Sequence, residues 1–197
     1  MKRWLVGSLL LVAVVEVLLV IVINRTPDPI TALEGIGGRF TRNKQGEVVS
    51  AVLIDKRVTD AGLKHLRGLT KLKTLWLRDA KITGAGLVHL KGLTNLQTLD
   101  LGHTQITDAG LVHLKGLINL QELRLRNTKI TDAGLVHIKG LARLTYLRLN
   151  KTKVTDAGLV HLKGLTKLER LTLMKTQITD AGIAELQKAL PNCKITK

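Results

Sequence analysis

A 24-residue repeat constrains the fold of this chain more than any other feature of its sequence. The clearest copy is residues 96–119, LQTLDLGHTQITDAGLVHLKGLIN. Five further copies share its pattern, the first and last of them more loosely: residues 48–71, 72–95, 120–143, 144–167 and 168–191. Sequence periods of about 20 to 50 residues are typical of solenoids, in which each unit packs against its neighbours.

Each copy has the pattern of a strand followed by a helix. Leu99 and Leu101 alternate with polar residues, as in a short strand. Thr107 is placed to cap a helix, Asp108 to lie near its positive end and Gly116 to end it. One unit cannot bury both of its apolar sides, whereas stacked copies share one core. The sequence therefore predicts an α/β solenoid of about six 24-residue coils, with a parallel β-sheet on the concave side and helices on the convex side.

The repeated run L-x-x-L-x-L-x-x-T-x-I-T-D-A-G-L-x-x-L resembles a leucine-rich repeat, in the T-D-x-G-L variety of bacterial and F-box-type repeat proteins. The resemblance extends over residues 48–191 and implies a binding scaffold with no common chemistry. The sequence has no phosphate-binding loop, nucleophile elbow or acid pair of the kind that enzymes tune. Neither enzymatic activity nor a cofactor is therefore predicted.

An apolar segment precedes the repeats. Residues 4–23 contain a single charged residue, Glu16, and are long enough to cross a hydrocarbon layer about 30 Å thick. No small-x-small cleavage site follows, so the sequence predicts an uncleaved transmembrane signal-anchor helix in the lipid bilayer. The basic flank at residues 1–3 outweighs Arg25, which favours a single-pass protein with its N-terminus inside and its repeats extracytoplasmic.

The segments around the repeats predict a linker and two caps. Residues 24–30 contain two prolines and read as a stiff linker. Residues 31–47 predict an N-terminal cap, with a short helix and then a hairpin around the turn at residues 43–46. The last repeat helix is expected to run on to Pro191. Residues 192–197 then form a closing half-strand, with the single cysteine as a small core residue.

Two polar columns recur on the predicted helices. We interpret the acidic column as helix capping rather than calcium binding, because each aspartate follows a threonine at a helix start. We interpret the histidine column as a partly buried helix flank rather than a zinc site or pH sensor, because a cation follows two residues later in each copy. No metal site is predicted. The columns are Asp60, Asp108, Asp132, Asp156 and Asp180, interrupted by Gly84, and His65, His89, His113, His137 and His161.

Two further columns have different expected roles. The valines are predicted to form an exposed ridge on the convex surface, available for self-association. The threonines occupy the position where the family often has a buried asparagine, and their hydroxyls are expected to bond the backbone of the turn. The columns are Val88, Val112, Val136 and Val160, and Thr104, Thr128, Thr152 and Thr176.

The strand positions that face away from the core differ from copy to copy, which is typical of a binding surface. Period-two alternation places them on the concave face. Several are arginine, tryptophan or tyrosine, the residues that most often dominate binding energy. The predicted partner-binding residues are Trp76, Arg78, Asp100, Glu122, Arg124, Arg126, Tyr146, Arg148 and Arg170.

The charge of the chain indicates the chemistry of its partners. Its 31 basic and 15 acidic residues give a net charge of +16, which favours acidic partners. The leading hypothesis is a membrane-anchored, non-catalytic recognition module whose basic concave face binds an acidic protein or an anionic surface polymer. Charge reversal at Arg124 and Arg148 is expected to abolish partner capture without unfolding the chain.

Two alternatives remain. One is a cytosol-facing adaptor that resembles the substrate-binding part of F-box leucine-rich repeat proteins. The other is a non-specific binder of nucleic acid or anionic lipid. Nucleic acid is the weaker of these partners, because aromatic residues for base stacking make up only 2% of the chain.

Overall fold

The computed structural model describes residues 28–197, so the predicted basic flank, signal-anchor segment and most of the linker lie outside the described residues. Within these bounds the chain forms one eight-stranded sheet, with its strands in sequence order. The first pair is antiparallel and every later pair is parallel. The strands are β1 (Arg39–Arg42), β2 (Val48–Val52), β3 (Thr74–Trp76), β4 (Thr98–Asp100), β5 (Glu122–Arg124), β6 (Tyr146–Arg148), β7 (Arg170–Thr172) and β8 (Lys194–Thr196).

The register of the parallel strands follows the sequence repeat. Leu75 pairs with Leu99, Leu99 with Leu123 and so on, so each coil is displaced from the last by one strand. These leucines are fully buried and belong to one continuous core that extends from Ile30 to Cys193. The predicted α/β solenoid with a parallel sheet is therefore confirmed.

The convex elements are shorter and more tightly wound than the predicted helices. Between residues 28 and 197, four are α-helices: α1 (Pro29–Glu34), α2 (Asp108–Leu111), α3 (Asp132–Leu135) and α4 (Asp180–Ala189). The other convex segments contain 3₁₀ helix, at Gly62–Leu66, Gly86–Leu90, Val112–Leu114 and Asp156–Leu162. No helix between residues 28 and 197 is both long enough and apolar enough to cross a membrane.

The spacing of the convex leucines explains this geometry. Leu111, Leu114, Leu117 and Leu120 recur every third residue and all are fully buried. A 3₁₀ helix has about three residues per turn, so residues at this spacing point in the same direction. The same i to i+3 spacing continues in the turns after the 3₁₀ segment, where the Leu117 N–H donates to the Leu114 carbonyl (2.9 Å) and the Leu120 N–H to the Leu117 carbonyl (3.0 Å).

The N-terminal cap begins earlier than predicted. Helix α1 starts at Pro29, inside the segment assigned to the linker, because the Asp28 carboxylate accepts hydrogen bonds from the Ile30 and Thr31 N–H groups (both 3.2 Å). Proline at the first helical position also favours this start, since its φ angle is already helical. The hairpin predicted around residues 43–46 is present, as the antiparallel pair of β1 and β2.

The C-terminal end closes the same core. Helix α4 ends at Ala189, two residues before the predicted end at Pro191. Strand β8 then pairs in parallel with β7 and covers the last coil edge, where the closing half-strand was expected. Cys193 is only 4% exposed, and burial raises the pKa of its thiol to about 11. It is a small core residue, as predicted.

Candidate functional site

The parallel register stacks the outward-facing strand residues in rows across the concave face. Trp76 lies beside Asp100, Asp100 beside Arg124, and Arg124 beside Arg148. The leucine that precedes each of these residues is buried in the core, so the side chains of the row point the opposite way. One surface therefore carries side chains from every coil.

A depression lies near the middle of this face, where the row that contains Arg78 and Arg126 has Gly102 between them. Gly102 has no side chain, and a Cβ atom there would lie 3.0 Å from Asp100 Oδ1. Four of the five predicted concave arginines line the depression: Arg78, Arg124, Arg126 and Arg148. These guanidinium groups are thus gathered in one place.

Asp100 was predicted to contact a partner, but it is only 6% exposed in the concave surface. Its Oδ1 accepts a hydrogen bond from the Gly102 N–H (2.8 Å), and its Oδ2 lies 3.4 Å from Arg124 Nη1. Both carboxylate oxygens are therefore engaged within the concave surface.

Arg124 is held by acidic neighbours on two sides. Its Nε donates to Glu122 Oε1 at 2.7 Å, and its Cζ lies 5.9 Å from the centre of the Trp76 ring. Burial lowers the pKa of Arg124, but the carboxylates of Glu122 and Asp100 outweigh burial and raise it. We call Trp76, Arg78, Asp100, Glu122 and Arg124 the proximal patch. Its charges are largely paired, because Arg78 also forms an ion pair, with Asp79 (3.1 Å).

Tyr146 holds two further arginines. Arg148 Nε donates to the Tyr146 hydroxyl (2.9 Å), and Arg148 Cζ lies 5.5 Å from the centre of the Tyr146 ring. Arg170 Cζ lies 5.6 Å from the same ring. Cation–π contacts of this kind fix the direction of a guanidinium group while its remaining N–H groups stay available.

A column of residues with left-handed backbone conformation was not predicted from the sequence. These residues follow the last outward position of each repeat strand, and their φ angles lie between 54° and 62°. Asparagine, aspartate and histidine tolerate this conformation better than lysine does. The sequence signal for this column was its position directly after each L-x-L-x run, where the strand ends and a turn must begin. The column is Asp79, His103, Asn127, Lys151 and Lys175.

This column adds two lysines to the predicted concave site. Lys151 and Lys175 lie beside Arg126, Arg148, Asn150 and Met174 and line one cleft with them. We call these six residues the distal cleft. Seven of the nine predicted residues therefore divide between a proximal patch with paired charges and a distal cleft, whereas Tyr146 and Arg170 belong to neither.

The acidic column does more than cap helices. Asp132 Oδ1 accepts from the Thr155 N–H (2.8 Å) and Asp132 Oδ2 from the Thr155 hydroxyl (2.7 Å), so the carboxylate joins one coil to the next. The same pair of bonds joins Asp60 to Thr83, Asp108 to Thr131 and Asp156 to Thr179. The hydroxyl and then the N–H of Thr179 hold the pKa of Asp156 below its ordinary value. The interpretation as capping alone was incomplete.

The histidine and threonine columns make contacts within the repeats. Among residues 28–197, no cluster of three or more histidine, cysteine or acidic side chains is placed to hold a metal ion. His89 Nδ1 accepts from Arg67 Nε (2.9 Å), and burial, followed by the charge of Arg67, lowers the pKa of His89. The hydroxyls of the threonine column donate to turn carbonyls, as predicted: Thr104 to Leu101, Thr128 to Leu125, Thr152 to Leu149 and Thr176 to Leu173.

The valine column is less continuous than predicted. Val112 and Val160 are exposed (38% and 56%), whereas Val88 and Val136 are half-buried. The convex surface therefore carries separated apolar side chains rather than an unbroken ridge.

Comparison with known proteins supports the repeat assignment. A family model described as "Leucine Rich repeats (2 copies)" matches residues 70–113 and 94–137, and one described as "Leucine rich repeat" matches residues 118–178. No curated protein matches the sequence.

Solved structures with a similar fold include two internalins of Listeria monocytogenes. The first is 27% identical with a TM-score of 0.60, over 68% of this chain and 37% of that chain. The second, internalin C2, is 26% identical with a TM-score of 0.59, over 86% of this chain and 81% of that chain. A leucine-rich repeat protein of Leptospira interrogans is 27% identical with a TM-score of 0.54, over 68% of this chain and 33% of that chain. The chain thus spans well under half the length of the first and third of these proteins.

Proposed function

This chain belongs to the leucine-rich repeat family, and on that premise we propose that it is a membrane-anchored recognition module whose concave face binds an acidic protein or an anionic surface polymer. Leucine-rich repeat proteins are in general non-catalytic modules for protein interaction. The finer proposal concerns which face binds, what charge the partner carries and where the module is held.

One observation carries the choice of face. The register of the sheet places Trp76, Arg124, Tyr146 and Arg148 on a single surface. Tryptophan, tyrosine and arginine are the residues most enriched among those that dominate binding energy. The convex side instead offers scattered valines and lysines. The concave face is therefore the better candidate for specific recognition.

A comparison of two double variants of the full-length chain tests the choice of face. Trp76→Ala/Tyr146→Ala alters the concave face, and Val112→Ala/Val160→Ala alters the convex face. We expect the concave variant to lose capture of the native partners by at least about tenfold, since removal of a binding hot spot costs about 2 kcal/mol or more. Quantitative mass spectrometry of co-purified proteins measures this loss. Equal capture by the concave variant, or a selective loss with the convex variant, would contradict the proposal, provided that both variants retain the thermal unfolding midpoint of the parent.

The membrane anchor is supported by sequence alone. Residues 4–23 are apolar and long enough to span a bilayer, and few residues separate them from helix α1 at Pro29. We expect the full-length chain to stay with the membrane fraction after alkaline carbonate washing, and protease added to intact cells to cleave the repeats. Repeats that become cleavable only after lysis would instead favour the cytosol-facing adaptor.

A further inference from the structure

The distal cleft differs from the proximal patch because its cations are not neutralised. In the proximal patch, Arg78 pairs with Asp79 and Arg124 with Glu122 and Asp100. Four cations of the distal cleft form no ion pair with any acidic side chain of residues 28–197: Arg126, Arg148, Lys151 and Lys175. Positive charge on the concave face is thus concentrated toward the C-terminal coils.

The cleft also presents hydrogen-bond donors. Arginine and lysine side chains donate and cannot accept. Asn150 is nearly buried, and its Oδ1 already accepts from the Met174 N–H (3.1 Å), so the amide NH₂ group is what it can offer to a ligand. A ligand that matches this cleft must therefore bring acceptors, and anionic acceptors match best.

An apolar side chain borders these donors. Met174 is 48% exposed. It lines the cleft together with Arg126 and Asn150, which occupy the same position in the two preceding repeats. Methionine adapts its shape to varied apolar partners. A purely anionic sugar polymer would leave this side chain unused, whereas a polypeptide can place an apolar residue against it.

The size of the cleft fits a short peptide segment. Arg126, Asn150 and Met174 are each separated by one 24-residue repeat, and each lies two residues beyond the end of β5, β6 or β7, so they follow successive strands of the sheet. Strands are about 4.8 Å apart, which gives about 10 Å from Arg126 to Met174. An extended peptide covers that distance in about three residues.

We infer that the distal cleft binds a short acidic segment of a partner polypeptide, with two or three carboxylates over its cations and an apolar side chain against Met174. This inference rests on the proposed function, since it names the partner chemistry of the same concave face. The inference also includes Lys151 and Lys175 among the cations that contact the acidic segment. Both line the cleft, and both adopt a left-handed backbone conformation that is unfavourable for lysine.

Synthetic peptides test the inference. The probe is an acetylated Gly-Ser-Glu-Glu-Glu-Leu-Gly-Ser peptide, compared with one in which serine replaces leucine and one in which glutamine replaces each glutamate. A sulfated oligosaccharide with three charges represents an anionic polymer. Calorimetry with the full-length chain in a non-ionic detergent measures each affinity.

We expect the leucine-containing acidic peptide to bind tightest, the serine peptide about threefold or more weaker, and the glutamine peptide at least about tenfold weaker. Arg126→Glu/Arg148→Glu should weaken binding of the acidic peptide at least about tenfold, because two attractive charges become repulsive. Lys115→Glu/Lys139→Glu, which makes the same change in net charge at exposed convex positions, should change it by less than about twofold. Arg126→Gln/Arg148→Gln provides a milder pair of substitutions if charge reversal disturbs folding.

Any of four results would overturn the inference. Equal weakening by the concave and convex variants would mean general attraction to a basic protein. Tighter binding of the sulfated oligosaccharide than of the peptide would identify an anionic polymer as the ligand. Equal affinity for the leucine and serine peptides would remove the role of Met174. If no peptide binds while Trp76→Ala/Tyr146→Ala still abolishes partner capture, the acidic segment is wrong but the proposed concave function stands.

Discussion

Replacing Asp132 with alanine is expected to lower the free energy of unfolding by about 2–3 kcal/mol. The carboxylate accepts from both the N–H and the hydroxyl of Thr155 in the next coil, at 2.8 and 2.7 Å. Hydrogen bonds to a charged group contribute about 1.5–3 kcal/mol when shielded, and these are half-buried. Thr155 also caps the following helix by accepting from the Ala157 N–H, so the loss of its bonds to Asp132 would weaken this cap as well. Urea unfolding of the full-length chain measures the loss.

Asp180 provides the matched control for Asp132. It occupies the same column, but the described residues after its helix form strand β8, and its side chain is 92% exposed. Its carboxylate bonds only Lys197 Nζ (2.8 Å) among the described residues, so Asp180→Ala should cost less than about 0.5 kcal/mol. Similar losses for the two substitutions would show that helix capping, rather than the bond between coils, explains the acidic column.

Replacing Gly110 with alanine is expected to cost about 3 kcal/mol, because the coils meet backbone to backbone at this junction. A Cβ atom on Gly110 would lie 2.5 Å from the Cα atom of Gly84, and main-chain atoms cannot rotate away as a side chain can. Gly84 stands where the other coils have aspartate, so no carboxylate joins this junction to Thr107. The midpoint of thermal unfolding should fall accordingly.

Gly116 supplies the control for Gly110. A Cβ atom there would meet nothing within 4 Å, so Gly116→Ala should leave stability within about 0.5 kcal/mol or raise it slightly by restricting the unfolded chain. An unchanged unfolding midpoint for Gly110→Ala would mean that the neighbouring coils separate more easily than their close backbone contact implies.

The sheet and its register were predictable because burial leaves little freedom at the core positions. Leu75, Leu99 and Leu123 recur at one interval and are fully buried, so a shift of one residue would expose each of them. The convex geometry was also encoded, in the spacing of three between leucines such as Leu111 and Leu114, but that spacing was interpreted as an ordinary helix. The sequence therefore contained the signal for the 3₁₀ geometry, but the spacing of three was taken for the period of an α-helix.

The pairing of charges on the concave face was not predictable to the same degree. Side-chain rotamers decide that Arg124 binds Glu122 and Asp100 while Arg126 remains without an acidic partner among residues 28–197. The same holds for Lys151, whose place at the cleft depends on a left-handed turn. Alternation assigns a residue to a face, but it does not say which neighbour on that face it contacts.

This pairing changes the choice of charge-reversal variants. The sequence favoured Arg124 and Arg148, but a glutamate at position 124 would face the carboxylates of Asp100 and Glu122 and would disturb the sheet itself. Arg126 and Arg148 are the sharper pair, because both line the distal cleft and neither has a carboxylate partner within the described part of the chain.

Site-specific photo-crosslinking can distinguish recognition by the concave face from recognition by the convex face. A photoreactive amino acid at position 174 reports on the concave face, and one at position 160 reports on the convex face; both side chains are about half exposed in the parent chain, at 48% and 56%. We expect irradiated cells to yield a partner adduct from position 174 and none from position 160. Adducts from position 160 alone would place recognition on the convex surface and contradict binding by the concave face.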